Sequence, residues 1–320
     1  MRFVISNSHC PFFNLAAEEY FLRHTSDEAI MLWAAGPAVI VGKHQNALAE
    51  INYRFVRENN IVVARRLSGG GTVVHDLQNL NFTYITNGTP GKLINFKRFV
   101  EPIVRYLASL GINASIGEKN DITVDGFKIS GNAEHVYKNR VLHHGTLLFA
   151  SDLNRLRNAL SSSKGFYVDN AVQSNRSEVA NISNFINCNL PFGDFVSGLS
   201  SCLQVNFPGS VLKDFDDNER VKITKLVNEK YSSFDWVYGY SPDYFFAKSF
   251  IFAGSAWQVE LRVEKGRICQ SRIQINGKQQ GELVALMLGK GHCYNDIHDA
   301  LQSAGCCMGL NTSDLTFSFF

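Results

Sequence analysis

No apolar run in this 320-residue chain approaches the roughly 20 residues a helix needs to cross a bilayer. No charge of one sign dominates either. The 31 basic and 29 acidic residues leave a formal net charge of +2, which gives no general case for binding nucleic acid or a membrane surface. The cysteine spacings that suggest zinc, CxxC and CxxH, are missing. The seven cysteines are scattered, with only Cys306 and Cys307 close together, and a reducing compartment is the simplest reading. There is no Walker A pattern, no internal repeat and no low-complexity tract. The first residues hold one arginine and no apolar h-region, and resemble neither a secretory signal nor an Arg- and Ser-rich transit peptide. The expected location is the cytoplasm, or the mitochondrial matrix for a chain whose transit peptide has been removed.

What is present is an ordinary globular composition, 45% hydrophobic and 19% charged, at a length that predicts one large or two unequal domains. The most informative segment is Arg65-Arg66-Leu67-Ser68-Gly69-Gly70-Gly71-Thr72-Val73-Val74-His75-Asp76. Three consecutive glycines are costly to order, but their backbone reaches φ > 0 and approaches a ligand closely. The apolar run Ile61 to Ala64 reads as a strand that delivers two arginines and a row of N–H donors to one place, a common way to build an anion site.

Along the chain, Asn14 is expected to cap a helix through Leu22, and Asn46 a helix through about Glu58. Ala29 to Trp33 and Ala38 to Gly42 read as strands, and Leu80 to Thr86 as a half-buried strand by its alternation. Phe96 to Leu110 has helical spacing, with Gly111 as its C-cap. Asp125-Gly126 predicts a type I′ hairpin with Val124 facing Phe127 and Thr123 facing Lys128. That register puts Ile122, Val124, Phe127 and Ile129 on one apolar face, and Asp121 diagonal to Lys128 on the other. A second hairpin pairs Asn132 to Tyr137 with Val141 to Phe149 and carries His143 and His144. Residues 161 to 193 read as a long loop covering a site. After a charged helix from about Asp217 to Lys230 come three strands, about Tyr244 to Phe252, Trp257 to Glu264 and Arg267 to Ile275, and two short helices, a small α+β unit of its own.

These features ask for one site. An ammonium (Lys128), a guanidinium and a backbone nest suit a substrate that carries a carboxylate and phosphates. Asp121 is a candidate ligand for a Mg²⁺ ion bridging phosphate oxygens. His75 and Asp76 are expected to brace the glycine loop.

Taken together, the motifs resemble the signatures of the lipoate–protein ligase A family, in its order and spacing. They are Arg65-Arg66-x-Ser68-Gly69-Gly70-Gly71-Thr72-Val73-x-His75-Asp76, Lys119-Asn120-Asp121-Ile122, Lys128-Ile129-Ser130-Gly131-x-Ala133 and His143-His144-Gly145-Thr146-Leu147-Leu148. Asn14-Leu15-Ala16-x-Glu18-Glu19-Tyr20 and Gly42-x-His44-Gln45-Asn46 are similar to further family motifs, and the resemblance covers nearly the whole chain. It implies an α+β fold: a large catalytic domain over 1–235 with a mixed β-sheet flanked by helices, shared with biotin–protein ligases, and a small α+β accessory domain over 236–320.

The resemblance also implies two half-reactions. Lipoate attacks the α-phosphate of ATP, giving lipoyl-adenylate and pyrophosphate. A lysine of an apo lipoyl-domain protein, such as a 2-oxoacid dehydrogenase E2 subunit or the glycine cleavage H protein, then attacks the activated carbonyl and releases AMP. By the same resemblance Lys128 is the essential lysine. Arg66, Gly71, Thr72, Val73, Val74, Asn120 and Asp121 contact ATP and lipoyl-adenylate, with Asp121 near Mg²⁺. Ser68, Gly69, Gly70 and His144 line the lipoate site, and Arg65 packs structurally. A monomer is expected. Two alternatives stand: a lipoyltransferase using preformed lipoyl-adenylate or another acyl donor, and an inactive module that binds lipoyl domains. A cysteine-thioester route ranks low, because no cysteine lies between Cys10 and Cys188. By the same resemblance Gly145 leans towards the full ligase, the form of the bacterial ligases, where animal lipoyltransferases carry Cys.

Overall fold

A proline at the first position of a helix sacrifices no hydrogen bond, because that N–H has no acceptor within the helix. In the computed structural model, which describes residues 1–88, 95–117, 121–160, 166–175, 177–305 and 311–320, the first helix accordingly begins at Pro11 and runs to His24. The expected cap, Asn14, lies inside it and is buried. Its amide donates to the Ser8 carbonyl at 2.7 Å and accepts from the Ser6 hydroxyl at 2.7 Å. The region after Asn46 is likewise two helices, not one: Ala47–Glu50, then Tyr53–Glu58 with Asn52 as its cap.

The chain divides into two compact units. The first comprises Met1–Gly42, Val62–Arg157 and Asn175–Ser232. Its main sheet has six strands in the order Asn132–Tyr137, Arg140–Leu148, Asn79–Asn87, Ala29–Ala34, Arg2–Ile5, Val211–Leu212. Arg2–Ile5 runs parallel to both its neighbours and the remaining pairs are antiparallel, so the sheet is mixed. One face carries Ile30, Leu32, Leu80, Phe82 and Tyr84. It buries them against Phe99, Val100, Ile103 and Leu107 of the helix Phe96–Ser109 and Phe195, Leu199 and Leu203 of the helix Phe192–Asn206. Gly111, at φ 81°, follows the first of these helices as expected.

The Asn79–Asn87 strand departs from the half-buried reading: every residue but Asn87 is buried. Two of its buried polar residues are hydrogen-bonded to neighbouring elements instead of to water. Asn81 donates to the Trp33 carbonyl at 3.2 Å and Thr83 to Glu18 at 2.6 Å.

Two small sheets complete the first unit. Ala38–Val41 lies between Val62–Arg65, parallel to it, and Val73–His75, antiparallel to it, so both ends of the glycine loop are anchored on one strand. The hairpin Ile122–Val124/Phe127–Ser130 has the predicted turn, with Asp125 and Gly126 at φ 50° and 84°, and the predicted Val124–Phe127 and Thr123–Lys128 pairs. Beyond them a bulge leaves Ile122 opposite Ser130. The extra residue, Ile129, is fully buried, whereas Phe127 is 40% exposed and drops out of the expected apolar face.

The second unit comprises Lys43–Ile61, Asn158–Ser174 and Ser233–Phe320. The strands Tyr167–Asp169, Tyr244–Phe252, Ser255–Glu264, Arg267–Ile275 and Lys278–Gln279 form an antiparallel sheet in that order. Trp257, Val259, Leu261 and Val263 are buried along one strand while Gln258 and Arg262 alternate outward, the pattern of a sheet wet on one side. Helices Gly281–Met287, Tyr294–Ser303 and Thr312–Phe317 belong to this unit, the last not foreseen. The segment 43–61 belongs here through Tyr53, whose ring stacks on Phe320 at 4.1 Å, and Arg57, whose guanidinium lies 3.9 Å from the Tyr294 ring centre.

Candidate functional site

A run of glycines holds one shape only if something else fixes its backbone. Here the fixing group is Arg66. Its Nη2 donates to the carbonyls of Gly69 at 2.6 Å and Gly71 at 2.8 Å, its Nη1 to Ile40 at 3.1 Å, and its Nε to the Ser68 hydroxyl at 3.0 Å. Burial pushes this guanidinium down to about 10, with the Glu18 carboxylate opposing the shift, so it stays a cation at neutral pH. Gly70 sits at φ 87°, and a Cβ there would lie 3.1 Å from Arg66 Nη2. The root of the loop, Arg66 to Ser68, is buried; Gly70 is exposed, and Gly69 and Gly71 to Val73 are half-buried. Val74 is buried in the strand opposite Val39. Arg65, fully buried, donates to the Gly42 carbonyl at 2.9 Å, a packing role consistent with the sequence reading.

The loop is tied in turn to the main sheet. Ser68 Oγ meets His144 Nε2 at 2.6 Å, and His144 Nδ1 lies 3.0 Å and 3.1 Å from the two Glu18 oxygens. Glu18 also accepts from Thr83 Oγ1, which accepts from Trp33 Nε1 at 3.3 Å. With Nδ1–H turned to the carboxylate, Nε2 accepts the Ser68 proton, and Ser68 accepts from Arg66. Donors and acceptors alternate from Trp33 to Gly71 with no clash, so the network specifies one loop geometry.

Asp76, just after the Val73–His75 strand, accepts from the Gln78 and Asp152 backbone N–H groups at 2.9 Å and 2.8 Å, and so braces the turn that follows that strand instead of the glycine run. His75 makes no such bond. It is buried with its ring edge-on to Trp33 at 5.5 Å, and neither ring nitrogen has a hydrogen-bond partner among the described residues. Burial pushes His75 down to about 3, with Arg66 and His144 adding to the effect.

Lys128 projects from the hairpin with Nζ 3.0 Å from Asp121 Oδ1 and keeps 28% of its side chain exposed. Its backbone is pinned on the hairpin's outer side, donating to the Glu178 carbonyl at 2.9 Å and accepting from Ala180 N–H at 3.1 Å. The expected covering loop thus contributes an extended stretch beside Lys128. Asn120 and Lys119 lie outside the described residues. Asp121 is a single carboxylate, and no group of three His, Cys, Asp or Glu among the described residues forms a metal cage. One carboxylate is the donor set of a Mg²⁺ ion that takes its remaining ligands from phosphates and water.

Glu18, Thr83 and Trp33 are site residues that sequence reasoning missed as such. Glu18 stood in a recognised motif with no role. The Glu18-Glu19 pair between apolar residues of the early helix was the available signal, since such groups are buried only with partners.

Residues 10–204 match the family model described as the lipoyl protein ligase A/B catalytic domain. Lipoate-protein ligase LplJ of Bacillus subtilis is 37% identical over 303 residues, covering 92% of each chain. Lipoate-protein ligase 1 of Staphylococcus aureus is 37% identical over 309 residues, covering 94% of this chain and 93% of the relative. Protein Ta0514 from T. acidophilum with bound lipoic acid superposes with TM-score 0.64 at 25% identity, over 74% of this chain and 98% of that one. A lipoate-protein ligase A crystal structure bound with ATP gives TM-score 0.64 at 25% identity, over 75% and 98%. Among the described residues no helix is long and apolar enough to cross a membrane.

Proposed function

The chain belongs to the lipoyl protein ligase A/B family, and from that premise we propose that it is an ATP-dependent lipoate–protein ligase, activating lipoate as lipoyl-adenylate and passing the acyl group to a lysine of an apo lipoyl-domain protein. The observation that carries this reading is the position of two clusters on one face of one strand. His144, which anchors the glycine loop, and Thr146, which bonds the turn beside Lys128, are two residues apart on Arg140–Leu148. Alternate strand residues share a face and stand about 7 Å apart, so a loop of N–H donors and an ammonium address one neighbourhood.

In the first step the lipoate carboxylate attacks the α-phosphorus and pyrophosphate leaves. The Lys128 ammonium stabilises the charge that builds on the phosphoryl oxygens. In the second, the ε-amine of the acceptor lysine attacks the mixed-anhydride carbonyl, AMP leaves, and Lys128 serves the carbonyl oxygen in the same way. The loop from Gly71 to Val74 and Arg66 hold the nucleotide, with Asn120 and Asp121 beside it. Ser68, Gly69, Gly70 and His144 hold lipoate. Asp121 would hold Mg²⁺ that arrives with ATP and neutralises phosphate charge. The protein acts as a monomer in the cytoplasm.

The test is the intact mass of an apo lipoyl-domain protein after incubation with this protein, lipoate and MgATP. A lipoyl-sized gain that needs ATP, and that disappears in Lys128→Ala, is expected. A gain only with synthetic lipoyl-adenylate would reduce the protein to a transferase, and no gain with either would leave a binding module.

A further inference from the structure

The Lys128 ammonium rests over a residue that has no side chain. A Cβ built on Gly131 would lie 3.2 Å from Lys128 Cε and 3.3 Å from Nζ, closer than such carbons normally come. Gly131 is not at positive φ, so backbone conformation does not demand glycine here; clearance does. The Gly131 backbone is in turn fixed twice by one residue. Its N–H donates to Thr146 Oγ1 at 3.3 Å, and its carbonyl accepts from Thr146 N–H at 3.0 Å. Thr146 lies on Arg140–Leu148, opposite Asn81 of the neighbouring strand.

We propose that Gly131 and Thr146 are positioning residues for Lys128: the glycine supplies a floor without a side chain, and the threonine fixes that floor to the main sheet. Asp121 holds the ammonium from one side, and the backbone bonds to residues 178 and 180 hold the root of the side chain. The ammonium is thereby placed by Asp121 and the Gly131 floor, on a side chain whose backbone is fixed at its root. An alanine at 131 displaces it by a few tenths of an ångström. Misplacement is costly for a group that must meet developing charge, on the order of 10²-fold for about 1 Å. This inference rests on the ligase reading, since it assigns Lys128 to the acyl-adenylate.

The experiment is calorimetric titration of the full-length protein with a non-hydrolysable acyl-adenylate analogue, an acyl sulfamoyl adenosine, as a double-mutant cycle. Gly131→Ala is expected to weaken binding about ten-fold when Lys128 is present and less than about two-fold in the Lys128→Ala background. Thr146→Val, which loses the hydroxyl but keeps the shape, should behave alike, and Thr146→Ser should stay within about two-fold of wild type. Equal losses in both backgrounds would mean general packing and overturn the proposal, as would no loss from either substitution. If Lys128→Ala weakens binding but Gly131→Ala and Thr146→Val do not, only this inference fails. If the wild-type protein binds no analogue, the ligase reading falls with it.

Discussion

His75 is a pH liability of the first unit, and replacing it with phenylalanine isolates that liability. The buried ring lies beside a cationic guanidinium and holds its pKa at about 3, against an ordinary 6.5 in the unfolded chain. Between those values the unfolded chain binds a proton that the folded chain refuses, so stability falls as pH drops below 6.5 and continues to fall to about 3. At pH 7.5 both states are neutral at this position. At pH 4.5, two units below the unfolded value, the penalty is about 3 kcal/mol at 1.36 kcal/mol per unit. His75→Phe keeps the edge-on contact with Trp33 and removes two buried nitrogens that have no partner among the described residues. The variant should match or exceed wild type at pH 7.5 and gain about 3 kcal/mol on it at pH 4.5. Hydrogen exchange of amides in Ala38–Val41 and Asn79–Asn87 reads the first unit by itself. That matters because His292, pushed down to about 4 by burial, adds its own acid sensitivity in the second unit. A gap between variant and wild type that is the same at both pH values refutes the reasoning.

Three further substitutions test the site. Gly70→Val forces a β-branched residue to φ 87° and drives its Cβ against Arg66 Nη2, so lipoate affinity should fall at least about ten-fold; unchanged affinity by titration would remove the loop from the site. Gly145→Ala places a Cβ 2.3 Å from Asn132 Oδ1 and 2.4 Å from Phe82 Cζ. It should cost about 3 kcal/mol through overpacking, seen as a clear drop in Tm, and an unaltered Tm would show that Phe82 moves freely. Glu18→Gln turns an amide N–H toward either Thr83 or His144, both donors. The expected loss is about 1–3 kcal/mol in urea unfolding, and a change within error would mean that the network is not held by this carboxylate.

The sequence made the glycine loop and the hairpin legible because both depend on local chemistry. Asp125-Gly126 specifies its turn wherever it occurs, and three glycines announce a backbone that must be shaped. The partners of those segments are not local. Glu18 lies 126 residues from His144 and 65 from Thr83, and no periodicity encodes such a pairing. The same limit hid the bulge at Ile129, which adjoins the Lys128 backbone bonds to residues 178 and 180, and the Asn14 position, where the buried amide bonds Ser6 and Ser8 before the helix. Reading Leu80 to Thr86 as half-wet failed for a related reason. Alternation distinguishes polar from apolar but cannot tell water from a buried carboxylate as the polar partner. Nor does any pattern in 43–61 show that Tyr53 and Arg57 pack with the last residues of the chain.

The segment His143-His144-Gly145-Thr146-Leu147 shows why a short strand can carry so much of a site. Strand residues alternate between faces, and here each face makes its own demand. His143 turns to the core, its ring 4.9 Å from Phe99, and burial lowers its pKa although the Glu134 carboxylate, 2.9 Å from its Nδ1, opposes the shift. Gly145 leaves room for Phe82 directly opposite, and Leu147 is fully buried. His144 and Thr146 face the other way, one holding the glycine loop through Ser68 and the other holding the Gly131 floor under Lys128. A core substitution at 143, 145 or 147 therefore shifts the strand that sets both functional clusters. The two readouts separate the cases: loss through the core lowers stability and ligand binding together, whereas loss at His144 or Thr146 should lower binding first.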